Sequence, residues 1–405
     1  MKVLLYGDFY LDTSGFAKEL KDLIPELLKQ GHEVRQIGLR YNGFSQQKPI
    51  IPVYHTRIQG VKSHWSAEIV EYAIKDFQPD ILFSVQDYFC LPYLTPVLSK
   101  PFKKPFKWIH WGLADGEPIN KTAVKASAWV HHHIFQSDFA RDALEKGLKM
   151  YAVKDTDFSN NEVIFPAIDL NTFYPLDKDK MKKEIKLDKR FVVFFLARNQ
   201  FRKNIPCLME AVKKLSKVIT NIQLLIQSVD TVTPDLQREG YNMQEIVEYL
   251  DIQEYIAEVK GSTGMPMAPA ILNKLYNASD IFCVPTMGEG FGLIFQEAMA
   301  TGLPCISTNY SAVPEVLGNG RGILVNPAAY IWRGGETKHA ILNSDDLANA
   351  IFKVWENPVL REKMSKAGLD WVKKYTPDKV ADKLNAVFER VIKEDPQPLA
   401  FKELA

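Results

Sequence analysis

The sequence predicts two doubly wound α/β domains in tandem, each a parallel sheet with helices on both faces. Three observations predict it. The chain has 405 residues, more than one ordinary core organises. Short apolar runs alternate with amphipathic helical patterns along its length. The alternation breaks once, at a charged stretch, and then starts again.

The first run, "KVLLYGD", has the unbroken apolar character of a strand buried on both faces. "SGFAKELKDLIPELLKQGHEV" follows as a helix, with Leu20, Leu23, Ile24, Leu27 and Leu28 on one face and Pro25 expected to kink it. "ILFSVQD", "KWIHWG", "HHHIFQS" and "EVIFPA" read as further strands. "LDKDKMKKEIKL", from Leu176 to Leu187, is charged, lacks strand signals and reads as a linker. The pattern restarts with the strand "RFVVFFLAR" and a helix facing inward through Ile205, Leu208, Met209, Val212 and Leu215. "IQLLIQS", "DIFCVPT", "PCISTN" and "GILV" continue as strands. A last helix, near Asp378–Glu394, carries Val380, Leu384, Val387, Phe388 and Val391 as its apolar stripe. The domains are therefore expected at 1–178 and 186–370. Two such domains facing each other make a cleft, with ligands expected beyond the carboxyl ends of the strands.

Composition excludes several classes. Fifty Lys and Arg stand against 49 Asp and Glu, so no global field draws the chain toward nucleic acid. Cys90, Cys207, Cys283 and Cys305 are scattered singly and read as buried thiols in a reducing compartment. The opening "MKVLLYGDFY" lacks the pattern of a signal peptide, and no apolar run reaches the ~20 residues of a membrane span. These features predict a soluble, cytoplasmic protein.

Chemistry concentrates in "DIFCVPTMGEGFGLIFQEAMATG". It parses as a strand ended by Pro285, a loop over Met287–Gly290, and a helix from about Phe291. Gly290 and Gly292 then lie at a helix N-terminus, where backbone N–H groups and the dipole attract an anion. Glu289 stands just before the helix. Glu297, expected two turns inside, offers a carboxylate suited to a pair of sugar hydroxyls. A glycine loop entering a helix explains these residues equally well when taken alone. In "LARNQFRKNIP", Arg198 ends a strand and Lys203 precedes a helix, placing two cations where a diphosphate would bind. A solvated basic loop, with Arg202 beside Lys203, is the plainer alternative for that segment.

The combination decides between these readings. "LYNASDIFCVPT" followed by "GEGFGLIFQEAMATGLPCISTN", together with "ARNQFRKN", "SGFAKELKDLIPELLKQGHEV" and "VIFPAIDLNTFYP", resembles the retaining glycosyltransferases of family four, which have the GT-B fold. The resemblance runs in order from about Lys2 to about Asn357. It implies metal-independent transfer of a hexose from a nucleoside-diphosphate sugar, UDP- or GDP-linked, to an acceptor hydroxyl with retention of configuration. No cofactor beyond that donor is implied. The acceptor would be a glycan, a lipid or a small molecule. Arg198 and Lys203 would neutralise the departing diphosphate. Glu289 would hold the transferred sugar and Glu297 the ribose hydroxyls. Backbone N–H groups of Gly290, Phe291, Gly292 and Leu293 would meet sugar or phosphate oxygens. Gly15 would bring the first domain's backbone to the diphosphate, although Ser14 stands where relatives carry a second glycine. His110, read as ending its strand, falls where the family carries a histidine near the donor sugar. Base contacts would fall to backbone atoms around Val259, Lys260 and Gly261. Glu315 matches a family glutamate, while Tyr310-Ser311-Ala312 replaces the usual glycines before it. The last helix, within 378–405, would cross back onto the first domain.

Two segments invite other readings. His131 and His133 would share one strand face, but no third metal ligand is evident, so no metal is expected. "SKPFKKPFKW" places four lysines among aromatic residues and could rest on an anionic membrane, or simply be a solvated loop. Competing functions are a GT-B sugar-nucleotide epimerase, a non-catalytic nucleotide-sugar binder and a nicotinamide dehydrogenase. No G-x-G-x-x-G follows the first strand to support the last.

Overall fold

The computed structural model describes residues 1–56, 67–153, 161–229, 240–258, 267–333 and 337–394. The chain divides into two compact units. Met1–Ala167, Gly335–Thr337 and Tyr375–Ala405 form one; Ile168–Gly334 and Lys338–Lys374 form the other. Among the described residues, no helix is long and apolar enough to cross a membrane.

In the first unit, β1 (Lys2–Asp8), β2 (Glu33–Leu39), β3 (Val53–His55), β4 (Ile81–Asp87), β5 (Lys107–Leu113), β6 (His132–Phe135) and β7 (Glu162–Val163) form a parallel sheet. Its order is β3-β2-β1-β4-β5-β6-β7, the doubly wound pattern that reverses direction between β1 and β4. Alternation along each strand sends side chains into two separate cores. Leu4, Tyr6, Leu82 and Trp108 pack with α2 (Ala67–Phe77), α3 (Leu91–Leu98), α4 (Lys121–Ser127) and α5 (Asp138–Met150). Val3, Leu5, Ile81, Phe83 and Ile109 pack on the other face, against Leu20, Leu23, Ile24 and Leu27 of α1 (Gly15–Lys29). Pro25 lies inside that helix, and Leu28, expected on the inner face, is exposed.

The same core takes in the C-terminal helix, introduced here out of order as αC (Pro377–Lys393). Its predicted stripe of Val380, Leu384, Val387, Phe388 and Val391 is buried, with Phe388 edge-on to Phe83 at 5.1 Å. Polar ties flank the stripe: His32 to Asn385 at 2.9 Å, and Arg390 to Glu162 at 2.5 Å. The lysines of "SKPFKKPFKW" are mostly engaged. Lys100 pairs with Glu71, Lys104 with Asp80, and Lys107 donates to the Glu394 carbonyl.

The second unit repeats the plan. Its helices are α6 (Lys178–Glu184), α7 (Ile205–Leu215), α8 (Met243–Leu250), α9 (Pro269–Asn277), α10 (Leu293–Ala300), α11 (Val313–Leu317), α12 (Ser344–Glu356) and α13 (Pro358–Val372). Strands β8 (Phe191–Arg198), β9 (Ile222–Val229), β10 (Ile256–Glu258), β11 (Ile281–Val284), β12 (Cys305–Thr308) and β13 (Gly322–Val325) pair in parallel. Their order is β10-β9-β8-β11-β12-β13, with the reversal between β8 and β11. A two-stranded sheet, β14 (Ala329–Arg333) with β15 (Thr337–Ile341), was not expected from the sequence.

The charged "LDKDKMKKEIKL" is not a linker. Asp177 caps α6 by accepting from the Lys180 N–H at 2.9 Å. Lys182 is buried and donates to Asp280 Oδ2 at 2.5 Å and to the Arg190 carbonyl at 2.8 Å. A lysine stem covering apolar surface while its ammonium finds a partly buried carboxylate leaves no apolar signature in the sequence.

Candidate functional site

The reversal of strand order brings together two loops that are distant in sequence. One follows β8 and the other follows β11, on neighbouring strands of the second sheet. At their junction the buried Lys203 ammonium is ion-paired with Glu289 Oε1. Arg202 closes the other side, with Nη1 3.3 Å from Glu289 Oε2 and donating to the Gly288 carbonyl at 2.6 Å. The Met287 N–H donates to the Arg202 carbonyl at 2.7 Å, and Thr286 Oγ1 to the Gly288 carbonyl at 2.9 Å. Burial by itself would push the Glu289 carboxyl up. The Lys203 and Arg202 cations overcome that and hold it below the usual carboxylate range.

The helix after this loop begins two residues later than predicted. Gly292 is the N-cap of α10, with φ +100°. A Cβ there would lie 2.7 Å from Phe295 Cδ2, so the position demands glycine on both conformational and steric grounds. The first N–H groups of α10 have no intrahelical acceptor. Glu289 stands four residues before the helix, and Glu297 lies one turn inside it rather than two. Glu297 is buried and accepts from Tyr276 Oη at 2.7 Å. Burial, with the Glu297 charge beside it, pushes the Tyr276 phenol well above its ordinary value, so it stays a donor. Phe291 is buried, Leu293 partly so.

The other predicted residues are distributed as follows. Arg198 is the last residue of β8 and is partly exposed; its side chain has no partner among the described residues. Val259, Lys260 and Gly261 lie outside the described residues. Gly15 is the first residue of α1 and is exposed, behind the Ser14 N-cap that accepts from the Ala17 N–H at 3.1 Å. His110 does not end its strand. It is the fourth residue of β5, fully buried, with Nδ1 2.8 Å from Ser84 Oγ and the Tyr88 ring 5.2 Å away. Burial, with His133 nearby, drives its pKa well below the usual histidine value, so it is neutral.

The three consecutive histidines take separate structural partners. His131 lies just before β6 and accepts from the Trp108 N–H at 3.0 Å. His132 contacts Glu162 at 2.9 Å, and His133 Nε2 contacts the Ser127 carbonyl at 3.0 Å. Among the described residues, no group of three or more His, Cys, Asp or Glu is placed to hold a metal ion.

Sequence reasoning missed two members of the site. Arg202 clamps Glu289, although its position beside Lys203 had favoured a solvated loop. Ser311 reaches in from the loop after β12: the Glu289 N–H donates to its Oγ at 2.8 Å. The available signal was a serine in place of a family glycine.

Residues 177–371 match the family model described as glycosyl transferases group 1. A phosphatidyl-myo-inositol mannosyltransferase from Mycobacterium leprae is 27% identical over 203 residues, covering 49% of this chain and 46% of that protein. A D-inositol 3-phosphate glycosyltransferase from Mycobacterium sp. (strain KMS) is 28% identical over 180 residues, covering 44% and 38%. The chain thus spans less than half the length of these curated relatives. Among solved structures, a sucrose-phosphate synthase from Thermosynechococcus elongatus superposes with TM-score 0.75 at 17% identity, covering 96% of this chain and 99% of the other. Anabaena HepE, solved in complex with UDP and glucose, gives 0.69 at 14% identity, covering 96% and 99%. These structures share the GT-B fold with this chain, and its residues 177–371 are similar to the group 1 glycosyl transferases.

Proposed function

We propose that the protein is a retaining, metal-independent hexosyltransferase that uses a nucleoside-diphosphate sugar as donor and a hydroxyl as acceptor. The observation that carries this reading is the convergence of Lys203, Arg202 and Glu289 at the switch point of the second sheet, beside the N-terminus of α10. Open α/β sheets bind ligands at such points. Two cations and a helix dipole suit a diphosphate, and a carboxylate beside them suits sugar hydroxyls. Lys203 and Arg202, with Arg198, take the diphosphate, Glu289 the hexose and Glu297 the ribose. The bond from the anomeric carbon to the diphosphate breaks, the acceptor oxygen bonds to that carbon, and the leaving phosphate oxygen takes the acceptor proton. The UDP and glucose bound to HepE support a nucleotide-sugar donor. The four cysteines, free and buried, agree with a cytoplasmic location.

Thermal denaturation with UDP, GDP, ADP and their common sugars tests the reading, for wild type, Arg198→Ala and Lys203→Ala. Saturation at about 100 times Kd adds roughly 2.7 kcal/mol. In a unit of this size that is a rise of roughly 5–10 °C. The expected result is a rise with one nucleotide series that shrinks in both variants. Lys203→Ala also lowers the unliganded melting temperature, since it leaves the buried Glu289 with Arg202 alone, so each shift is read against its own baseline. No rise with any nucleotide, or a full rise in both variants, would refute the assignment.

A further inference from the structure

Ser311 occupies a position that a serine should avoid. Its φ is +53°, in the left-handed region that glycine enters freely and other side chains rarely do. It is buried, and its hydroxyl is fully used: Oγ accepts from the Glu289 N–H at 2.8 Å and donates to the Tyr310 carbonyl at 2.8 Å. The next residue joins the same contact, since the Ala312 N–H donates to the Glu289 carbonyl at 3.3 Å. The peptide groups on both sides of Glu289 are therefore gripped by the loop that leads into α11.

The side chain of Glu289 is held differently. Its carboxylate is fixed by Lys203 and Arg202, cations on the loop after β8. A diphosphate at this site competes for those same cations. As it draws them away, the carboxylate loses both cations and keeps only the Thr286 hydroxyl, so the main chain becomes the chief restraint on where Glu289 points. We propose that Ser311 is a positioning residue that holds Glu289 in place against the sugar when the donor takes Lys203 and Arg202. This rests on the reading of Glu289 as the sugar-binding carboxylate. It explains why a hydroxyl stands in a backbone conformation made for glycine: glycine fits the conformation but cannot hold the Glu289 N–H.

Two substitutions separate the bond from the backbone. Ser311→Gly removes the hydroxyl and relaxes the left-handed residue. Ser311→Ala removes the hydroxyl and keeps the strain. Hydrolysis of UDP-glucose, or of the GDP- or ADP-sugar that the thermal series selects, requires no acceptor and gives kcat. The nucleotide alone gives Kd, and hydrogen exchange reports the Glu289 amide. The expected result is a kcat about 10-fold lower in both variants, with nucleotide Kd within about two-fold of wild type. The Glu289 amide should exchange faster in both, while the Met287 amide, bonded to Arg202, is unchanged. The melting temperature should hold or rise in Ser311→Gly and fall in Ser311→Ala.

A Ser311→Gly enzyme with wild-type kcat, beside a Glu289→Gln enzyme that is slow, would overturn the inference and leave the site reading intact. So would an unchanged Glu289 amide, or a nucleotide affinity that falls in step with kcat. Wild-type hydrolysis by Glu289→Gln would remove the site reading and the inference with it.

Discussion

Glu19 offers a direct test of how the first unit stores a carboxyl group under its sheet. It lies in the second turn of α1, is 3% exposed, and accepts from Gln136 Nε2 at 2.7 Å. Burial raises its pKa from 4.5 to about 8; the Gln136 hydrogen bond opposes the rise, and Asp87, Asp22 and Asp8 add to it. Its folded value is raised, so the protonated form stabilises the fold fully below pH 4.5, and that contribution is lost as pH climbs through about 8. The interval corresponds to roughly 5 kcal/mol at most. Glu19→Gln keeps an acceptor for Gln136 and removes the titration. Urea unfolding of wild type and variant at pH 5, 7 and 8.5 should show near-equal stability at pH 5. At pH 8.5 the variant should be more stable by several kcal/mol. Burial depresses the pKa values of His32, His131 and His133, which weakens the fold on acidification below about 6.5, the opposite sense. Those groups are common to both proteins and cancel in the difference. A difference that stays constant across the three pH values would refute the reasoning.

Gly292→Ala should lower the stability of the second unit by about 1–3 kcal/mol in denaturant unfolding, because φ is +100° and the added Cβ meets Phe295 Cδ2 at 2.7 Å. Pairing it with Phe295→Ala would relieve the clash but not the conformational cost. Phe388→Ala should cost about 3–5 kcal/mol and speed hydrogen exchange along αC, since that ring is fully buried against Phe83. Arg390→Ala, by contrast, breaks a pair whose side chains are 41% and 31% exposed, and should cost about 1 kcal/mol or less.

The strands of both sheets were legible because a parallel strand covered on both faces must be largely apolar, as the interiors of "KVLLYGD" and "RFVVFFLAR" are. The stripe of αC was equally plain. Weaker signals failed where side-chain chemistry replaced periodicity. α6 hides its buried lysine among exposed ones, and the predicted strand "EVIFPA" shrinks to two residues of pairing. His110 was placed at a strand end because its neighbours in sequence do not show how far a strand continues. Arg202 was discounted because two adjacent basic residues look solvated until the carboxylate they enclose is known.

The sequence by itself determined the two alternating α/β halves, the glutamates at 289 and 297, and the cations at 198 and 203, because each depends on residue type and local spacing. Tertiary structure decided which of them meet. Lys203 and Glu289 are separated by 86 positions, and they touch because β8 and β11 become neighbours at the reversal of strand order. It also decided that α10 starts at Leu293, and that a serine from a third loop fixes the Glu289 main chain. Pairing between strands depends on packing of the whole sheet, which no local stretch of the chain encodes.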